Sequence, residues 1–398
     1  MKRAILYQHK MRVIKFSIQI ILFTFSCLWI GKSFAQEHRD LSMDLAKTIM
    51  LRYPDPNTYP WRSWCYPQGY MLMGMAKLFS TTNDSIYYRY MMKYVDTHVD
   101  SQGNISRFKG NSMDDMMAGR VIVWAYQQTG LEKYRKAAEQ IRHSFDNYPR
   151  TSEGLFWHGR KTQGEVWVDG VFMGQMFLTS YGKYIGDSDW CFDEAARQLT
   201  GIYSKLKKED SALLYHGWDE DRNAGWANVQ TGLSPEVWSE GLGWYALVLV
   251  ETLETFPQDH PRRAELEQIC QSLMSGLKRA QDRRTGLWFQ VVDKGDRPDN
   301  WHDTSGSAMF LYAIKKAVEL GLIPERQFNM VVKKAYQGML TKTVISQADG
   351  LIDVIDACDG LCVQSSYEAY INYPKKTNAK EAVAGVLWAS WIMEKPLN

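Results

Sequence analysis

The sequence lacks the marks of several large protein classes. Its 47 Lys and Arg and 45 Asp and Glu residues are interspersed and give a net charge of +2, so no basic run of the nucleic-acid-binding kind is present. No Cys and His residues have the spacing of a zinc site, and neither a phosphate-binding glycine loop nor an EF-hand loop occurs. The sequence therefore gives no reason to expect a cofactor or a metal ion.

Cysteine is scarce, and its placement excludes a disulfide scaffold. The chain has six cysteines in 398 residues, and one of them, Cys27, lies in an N-terminal apolar run. The others are scattered in an odd number over a long region, which is not a disulfide framework. Cys358 and Cys362 are close enough in the chain to pair, but their spacing alone leaves this open.

The N-terminus has the pattern of a secretory signal peptide. A short basic segment at 11–15 precedes an apolar run at 16–30, and Ser33-Phe-Ala35 forms a small-x-small cleavage site. The run is too short to span a membrane comfortably. We expect residues 1–35 to be removed and the mature protein to be secreted, most simply into a bacterial periplasm. No linker follows, so residues 36–398 are predicted to form one domain.

Helical periodicity dominates this domain, and short glycine-plus-aromatic pieces recur between the helices about every 50–70 residues. The predicted helices lie at 44–51, 68–79, 115–128, 131–145, 171–184, 191–206, 239–255, 262–281, 305–320, 327–340 and 381–393. This period and length predict an all-α fold, an (α/α)6 barrel of six helical hairpins with strand-like loops at one end. An open helical solenoid is the alternative, although the repeats share little sequence.

Aromatic residues are plentiful, with 15 Trp and 22 Tyr. Their flat apolar faces and polar edges suit stacking on sugar rings, although many of them must simply fill the core.

Asp169 is the most informative single residue. It lies within Glu165-Val-Trp-Val-Asp-Gly-Val-Phe-Met-Gly174, an aromatic and apolar segment that reads as a helix. Such surroundings are expected to raise the pKa of a carboxyl group, so that it can act as a general acid near neutral pH. The alternative is a structural Asp or a helix N-cap.

Other polar residues could join Asp169 in a site. Asp114, beside Asp115, precedes a predicted helix and could equally be a cap. His158 and His216 lie in aromatic loops, where a histidine bonded to the backbone is the commoner case. Trp238, Glu240 and Trp244 surround two glycines, whose cost in a helix suggests close approach by a ligand or a tight entry into the helix, with simple packing as the alternative. The Tyr66 hydroxyl lies in another aromatic cluster and could bond either a substrate or a backbone group.

Together these elements make the chain resemble glycoside hydrolase family 105, the unsaturated rhamnogalacturonyl hydrolases. The resemblance rests on the order and spacing of the following elements: Trp-x-Tyr-x-x-Gly at 64–69, Asp-Asp-x-x-x-Gly-Arg at 114–120, His158, Trp-Val-Asp-x-x-Phe-Met at 167–173, His-Gly-Trp-Asp at 216–219, Trp-x-x-Gly-x-Gly-Trp at 238–244 and Thr-Ser-Gly-Ser-Ala at 304–308.

The resemblance implies an (α/α)6-barrel catalytic domain and particular roles for its residues. Asp169 falls on the general acid/base and Asp114 on a second pocket Asp. The implied sugar-pocket residues are Tyr66, His158, His216, Trp238 and Trp244. The implied substrate is an oligosaccharide that ends in a 4,5-unsaturated uronic acid left by a polysaccharide lyase. Protonation of C4 and addition of water at C5 would release that sugar without a cofactor, by a monomer or a homodimer.

Glu240 departs from the family pattern, which usually has Arg at this position. If the Glu240 carboxylate lines the pocket, we expect a cation to offset it, with Arg120 and Arg160 as candidates. Three alternatives stay open: an unsaturated glucuronyl hydrolase acting on glycosaminoglycans, an inverting glycosidase that pairs Asp169 with Asp114 or Glu240, and a secreted sugar-binding protein without catalysis.

Overall fold

The computed structural model describes residues 40–396. The predicted signal peptide at 1–35 lies outside the described residues, as do its cleavage site and Cys27, so these remain predictions. Among the described residues, no helix is both long and apolar enough to cross a bilayer. All five cysteines in this part of the chain are free thiols, so Cys358 and Cys362 are not paired.

Twelve long helices form within the described part of the chain, and outer and inner helices alternate. The outer helices are α1 (Leu41–Arg52), α3 (Ser85–His98), α5 (Glu132–Ser144), α7 (Ser188–Leu206), α9 (Arg263–Ala280) and α11 (Glu325–Leu340). The inner helices are α2 (Tyr66–Thr82), α4 (Gly119–Thr129), α6 (Gly170–Tyr184), α8 (Ser239–Thr255), α10 (Thr304–Glu319) and α13 (Lys380–Glu394). A short helix, α12 (Tyr367–Ile371), precedes α13.

The six inner helices form a closed ring, because each packs against the next and α13 packs against α2. Each outer helix covers an inner one, and α1 pairs with α13 across the two ends of the domain. The backbone N–H groups of Leu41 and Ser42 donate to the carboxylate of Glu394 at this junction. The predicted (α/α)6 barrel is therefore confirmed.

The sequence of each helix explains its place in the ring. Inner helix α8 is apolar almost all round, and every residue from 239 to 253 is buried. Outer helix α5 instead buries a single stripe, which includes Tyr134, Ala137, Ala138 and Ile141. The wholly apolar helices must therefore form the core, while the amphipathic ones face solvent on their other side.

The recurrent glycine-aromatic pieces are tight turns that follow the outer helices. Gly103, Gly154, Gly286 and Gly350 all have positive φ values, between 71° and 88°. Short bridges such as Val99 to Ile105 and strands β3 (Thr343–Ile345) and β4 (Ile352–Val354) flank these turns. Since an outer helix ends where the next inner helix begins, the turns lie at the same end of the ring as the N-termini of the inner helices.

Two helix predictions need correction. The helix predicted at 115–128 begins at Gly119, and residues Met113–Asp115 form a separate 3-10 turn. Outer helix α3 was missed, because its buried positions are filled mainly by Tyr and Met rather than by aliphatic residues. The other predicted helices agree with the structure to within a few residues at each end.

Candidate active site

Asp169 stands at the N-terminus of inner helix α6 rather than inside a helix. Strand β1 (Glu165–Trp167) precedes it and pairs antiparallel with strand β2 (Gly217–Asp219). Asp169 occupies the N-cap position, yet its side chain makes no capping hydrogen bond. Its carboxylate is thus not used to satisfy the helix and is available to the site.

Asp114 is likewise free of the capping role. It lies in the 3-10 turn Met113–Asp115, and the side chain of Ser112 caps that turn by accepting from the backbone N–H of Asp114 at 3.2 Å. The capping alternative for Asp114 is therefore wrong. Its carboxylate remains free to face the imidazole of His158.

His158 lies between the two aspartates. Its Nε2 is 3.9 Å from Asp114 Oδ1, and its Nδ1 is 4.0 Å from Asp169 Oδ2. The imidazole stacks on the indole of Trp167, with ring centroids 4.0 Å apart and an interplanar angle of 14°. Gly170 lets the ring approach the helix, since a Cβ there would lie 3.0 Å from His158 Nδ1. The stacking fixes the imidazole where it faces both carboxylates.

His216 approaches Asp169 from the other side. Its Nε2 is 3.7 Å from Asp169 Oδ1, and its Nδ1 is 2.8 Å from the Tyr370 hydroxyl. The β1–β2 pairing brings the two residues together, because the backbone N–H of Val168 donates to the His216 carbonyl. The ring of Trp238 covers the imidazole at 4.5 Å between centroids. His158, Asp169, His216 and Trp238 thus form one contiguous group.

The two aspartates have opposite pKa shifts. Burial raises the pKa of Asp114 to about 6, and the neighbouring charge of Asp169 adds to that effect. Burial also acts to raise the pKa of Asp169, but polar contact with His216 and the charges of His158 and His216 outweigh it and hold the pKa below its usual value. The expectation of a raised pKa at Asp169 is therefore wrong for the ligand-free protein, and Asp114 is the carboxyl that retains a proton.

Several buried polar atoms in this group have no hydrogen-bond partner in the protein. They are Asp169 Oδ1, His158 Nδ1, His216 Nε2, Trp238 Nε1 and Glu240 Oε1. Buried polar atoms in native proteins are almost always paired, so a concentration of unpaired ones indicates a place for a polar ligand or ordered water. Both donors and acceptors are present, as the hydroxyl groups of a sugar require.

Asp114, His158 and Asp169 could also hold a metal ion, since their ligand atoms lie within 4.8 Å of one another. Two carboxylate oxygens and an imidazole nitrogen suit a divalent cation. Metal binding would require both carboxyl groups to be ionised, whereas Asp114 has a pKa of about 6.

Tyr66 is the first residue of inner helix α2, and Trp244 lies in inner helix α8. The Tyr66 hydroxyl donates to Glu381 Oε1 at 2.6 Å, and its ring makes an edge contact with Trp244 at 5.8 Å. Burial and the neighbouring charge of Glu381 raise the pKa of Tyr66 well above its usual value. Tyr66 also lies near both Asp114 and Glu240. Trp244 is buried against Tyr66, Tyr70 and Phe172, and its place in a sugar pocket stays a prediction.

Glu240 is buried and shares the hydroxyl of Ser305 with Asp303. Ser305 Oγ lies 2.7 Å from Glu240 Oε2 and 2.8 and 2.9 Å from the two oxygens of Asp303. One hydroxyl has one hydrogen, so one of the two carboxyl groups must itself be protonated. Burial raises the pKa of both, but Asp303 also accepts backbone N–H groups from Cys358 and Gly306. The stronger rise in its pKa and its fewer hydrogen bonds favour Glu240 as the protonated group.

The cation expected beside Glu240 is Lys380, not Arg120 or Arg160. Lys380 lowers the strongly raised pKa of Glu240 and forms an ion pair with Glu381 at 2.8 Å. Arg120 donates instead to Ser180, and Arg160 donates to backbone carbonyls. Proposing those two arginines was therefore wrong.

Some residues of the site were missed by the sequence interpretation. Trp167 and Ser305 lie in elements that carried the family resemblance, so a signal for them was present. Tyr370 lies in the region 358–376, which matches the family pattern only loosely, and Lys380 and Glu381 lie at the start of the last inner helix. Closure of the ring brings these residues to the site, and no local sequence pattern predicts their position there.

Comparisons with known proteins agree with this geometry. The sequence profile of Glycosyl Hydrolase Family 88 matches residues 41–397. The unsaturated rhamnogalacturonyl hydrolase YesR of Bacillus subtilis is 24% identical over 79% of this chain and 85% of its own length. A family 105 glycoside hydrolase of C. acetobutylicum superposes with a TM-score of 0.84 and 32% identity, over 89% of this chain and 99% of that one.

A more distant structure shows the fold alone. The unsaturated glucuronyl hydrolase of Bacillus sp. GL1 superposes with a TM-score of 0.66 at 13% identity, over 89% of this chain and 95% of that one. These matches confirm the resemblance on which the sequence interpretation relied, and the alternative of a binding protein without catalysis is not retained. The chain belongs to the glycoside hydrolases of families 88 and 105, and it is a hydrolase.

Proposed function

We propose that this hydrolase removes a 4,5-unsaturated uronic acid from the non-reducing end of oligosaccharides that a polysaccharide lyase has released from pectin or rhamnogalacturonan. The observation that carries the proposal is the placement of His158 between Asp114 and Asp169. One protonated carboxyl and one ionised carboxyl lie on opposite nitrogens of a single imidazole. Such a pair can both give and take a proton.

The chemistry follows from the vinyl ether of the unsaturated sugar. Asp169 protonates C4, and positive charge develops at C5 and the ring oxygen. A water molecule adds at C5 and gives a proton back to the ionised Asp169 carboxylate. The resulting hemiketal opens and releases the neighbouring sugar with its hydroxyl group. Water is consumed overall, and the enzyme recovers its proton.

Asp169 must first obtain the proton that it donates. Its carboxyl is ionised in the ligand-free protein, whereas Asp114 holds a proton up to about pH 6. We assign the reserve proton to Asp114. Once substrate binding draws these groups together from 3.9 and 4.0 Å into hydrogen-bond contact, that proton passes to His158 Nε2, while the hydrogen on His158 Nδ1 passes to Asp169. Displacement of water and the negative charge of a bound uronate both raise the pKa of Asp169 and favour this transfer.

The inner helices favour an anionic sugar at this position. All six of them begin at the same end of the ring, where each N-terminus carries a partial positive charge of about +0.5. Unpaired N–H groups at such ends are ready partners for a carboxylate. A protonated Glu240 is neutral and does not repel a uronate, but it supplies no positive charge in place of the usual Arg.

The spacing of the aspartates disfavours an ordinary inverting glycosidase. Their nearest ligand atoms lie within 4.8 Å of each other. Inverting enzymes hold their two carboxyl groups ~6.5–9.5 Å apart to leave room for a water molecule. The glycosaminoglycan alternative is supported only by likeness of fold.

The experiment is a screen for loss of the ultraviolet absorbance of the conjugated double bond. Lyase digests of pectin, rhamnogalacturonan, ulvan, arabinogalactan and glycosaminoglycans are each incubated with the enzyme. The proposal expects the fastest loss on the pectin-derived digests. Loss only on glycosaminoglycan digests would assign the other substrate class, and release of sugar from saturated oligosaccharides without any loss of absorbance would contradict the mechanism.

Two further points belong to the proposal. Activity should survive dialysis against a chelator, because every step uses protons held by the protein's own residues, and loss that a divalent cation restores would contradict this. We also propose that the enzyme is secreted, most simply into a bacterial periplasm, and that residues 1–35 are removed. Sequencing the N-terminus of the exported protein tests the second point.

A further inference from the structure

A cavity of about 520 Å³ lies beside the candidate active site and contains none of the residues assigned to it. It is enclosed by the loop that follows β2 and by the segment before α12. Its aromatic and polar lining residues include Tyr215, Trp226, Asn228, Thr231 and Ser365. Its volume falls within the ~300–1,000 Å³ of typical small-molecule sites.

The loop that forms this cavity is long but firmly held. The Asp219 carboxylate accepts backbone N–H groups from Asp221, Asn223 and Ala224 at 2.7–3.1 Å. Gly232 can close the turn because its φ is +76°, and a Cβ there would lie 2.3 Å from the Asp219 carbonyl oxygen. Long ordered loops in compact domains usually have a function, and binding a ligand is one that this loop could serve.

The lining has the chemistry of a site for an uncharged sugar. Trp226 and Tyr215 are half-buried aromatic residues that offer ring faces or edges for stacking. Asn228 supplies an NH2 donor, since its Oδ1 already accepts the backbone N–H groups of Gln230 and Thr231, while Thr231 and Ser365 supply hydroxyl groups. No residue lining this cavity in the described chain is charged. A uronate or a sulfated sugar would find no counter-charge among them.

The cavity adjoins the acidic site through two contacts. A Cβ on Gly217, the residue after His216, would lie 3.2 Å from the Trp226 ring and 3.0 Å from Val363. Next to Val363, Cys362 is exposed and lies within range of the charges of Asp169 and Asp114. The segment 362–365 therefore runs from the acidic site to the cavity wall.

We infer that this cavity binds an uncharged sugar residue on the leaving-group side of the bond that the acidic site breaks. The inference rests on the proposed function, and it adds that the sugar chain beyond the unsaturated uronate is neutral where it meets this loop. Trp226 supplies the stacking face and Asn228 the polar contact.

The test compares two substrates on matched variants. One is an unsaturated uronyl-rhamnose disaccharide extended by neutral sugars, and the other is the methyl glycoside of the unsaturated uronic acid. Trp226→Ala should raise KM for the extended substrate by roughly tenfold and leave KM for the methyl glycoside unchanged. Val229→Ala is the control, because Val229 is 69% exposed on the same loop and does not line the cavity.

Equal changes on both substrates, or none beyond the control, would overturn the inference. Trp226→Phe should keep most of the affinity, which separates stacking from a general disturbance of the loop. If the parent enzyme acts on neither substrate, the proposed function is wrong, and the cavity is then tested by calorimetric titration with galactotetraose. Binding that Trp226→Ala abolishes supports the cavity as a neutral-sugar site, while absent or unchanged binding overturns it.

Discussion

Asp114 and Asp169 lie on opposite nitrogens of the His158 imidazole, at 3.9 and 4.0 Å. The arrangement separates their protonation states, because Asp169 has a second imidazole, His216, at 3.7 Å and Asp114 does not. One carboxyl therefore holds a proton that the other lacks. The first two predictions below concern protons held in and beside this site.

Asp114→Asn should remove a pH dependence from both activity and stability. If protonated Asp114 is required, kcat/KM of the parent declines as the pH rises above about 6, and the residual activity of the variant lacks that decline. The folded carboxyl binds its proton more tightly than the unfolded one, so the parent loses stability as the pH rises from about 4 to about 6. The variant should be more stable at pH 8 by on the order of 1–3 kcal/mol, measured by urea unfolding. Equal stability of the variant and the parent at pH 8 would show that burial does not disfavour the ionised form of Asp114.

Glu240→Gln should retain most of the parental activity. A protonated Glu and a Gln have similar shapes, both are neutral, and both can donate to Ser305 Oγ. Steady-state kinetics on an unsaturated uronyl disaccharide measures the effect, with Glu240→Ala as the control that removes the hydrogen bond and leaves a void. A loss for Gln as large as that for Ala would mean that a charge on Glu240 is needed.

Glu251→Gln should destabilise the protein without touching the site. Glu251 pairs with Lys77 at 3.1 Å, with side chains only 6% and 12% exposed, and both residues lie toward the C-terminal ends of their inner helices, far from the N-termini. Removing one partner leaves a buried charge, which typically costs about 3–5 kcal/mol. Lys77 and Lys316 lower the pKa of Glu251 to about 2 despite its burial, so the parental contribution is full above about pH 4.5 and is lost as the pH falls toward 2.

Urea unfolding at pH 7 and pH 3 measures this prediction. The exposed pair of Arg135 with Glu132 is the control, and Glu132→Gln should change stability little. Replacing both Lys77 and Glu251 by apolar residues should recover part of the loss. A Glu251→Gln variant as stable as the parent at pH 7 would contradict the account.

Alkylation of Cys362 should inhibit the enzyme. Cys362 is the one exposed cysteine among residues 40–396. Partial burial of its thiol, together with the charges of Asp169 and Asp114, raises the pKa of Cys362. N-ethylmaleimide at pH 8 should therefore modify it slowly but selectively, and bound substrate should protect it. Cys362→Ser should be active and resistant to the reagent. Full activity after complete modification of Cys362 would place this residue away from the mouth of the site.

The fold was largely predictable because its signal is local and repeated. Each inner helix is apolar all round and each outer helix has one apolar stripe, so helix α8 was predicted at its observed bounds. Helix α3 was missed although its buried residues, including Tyr87, Tyr90, Met91 and Tyr94, have helical spacing. No prediction was made for this segment, whose buried face consists mainly of tyrosine and methionine rather than aliphatic residues.

The site was predictable in its residues but not in its electrostatics. The spacing of Asp169, His158 and His216 carried the family resemblance, yet the pKa of Asp169 depends on the β1–β2 pairing that places His216 beside it. The cation near Glu240 was wrongly sought among Arg120 and Arg160. Lys380 supplies it only because the last inner helix closes the ring against the first.

The most direct measurement of the central claim is turnover of an unsaturated uronyl disaccharide by Asp169→Asn. Asn fills the same volume but can neither donate nor accept the proton, and loss of a general acid/base typically costs about 10²–10⁴ in rate. The variant should unfold at nearly the parental temperature, since the Asp169 side chain makes no capping hydrogen bond. A fall in kcat of that size in a folded protein is the result the account predicts. Near-parental turnover by folded Asp169→Asn would contradict it.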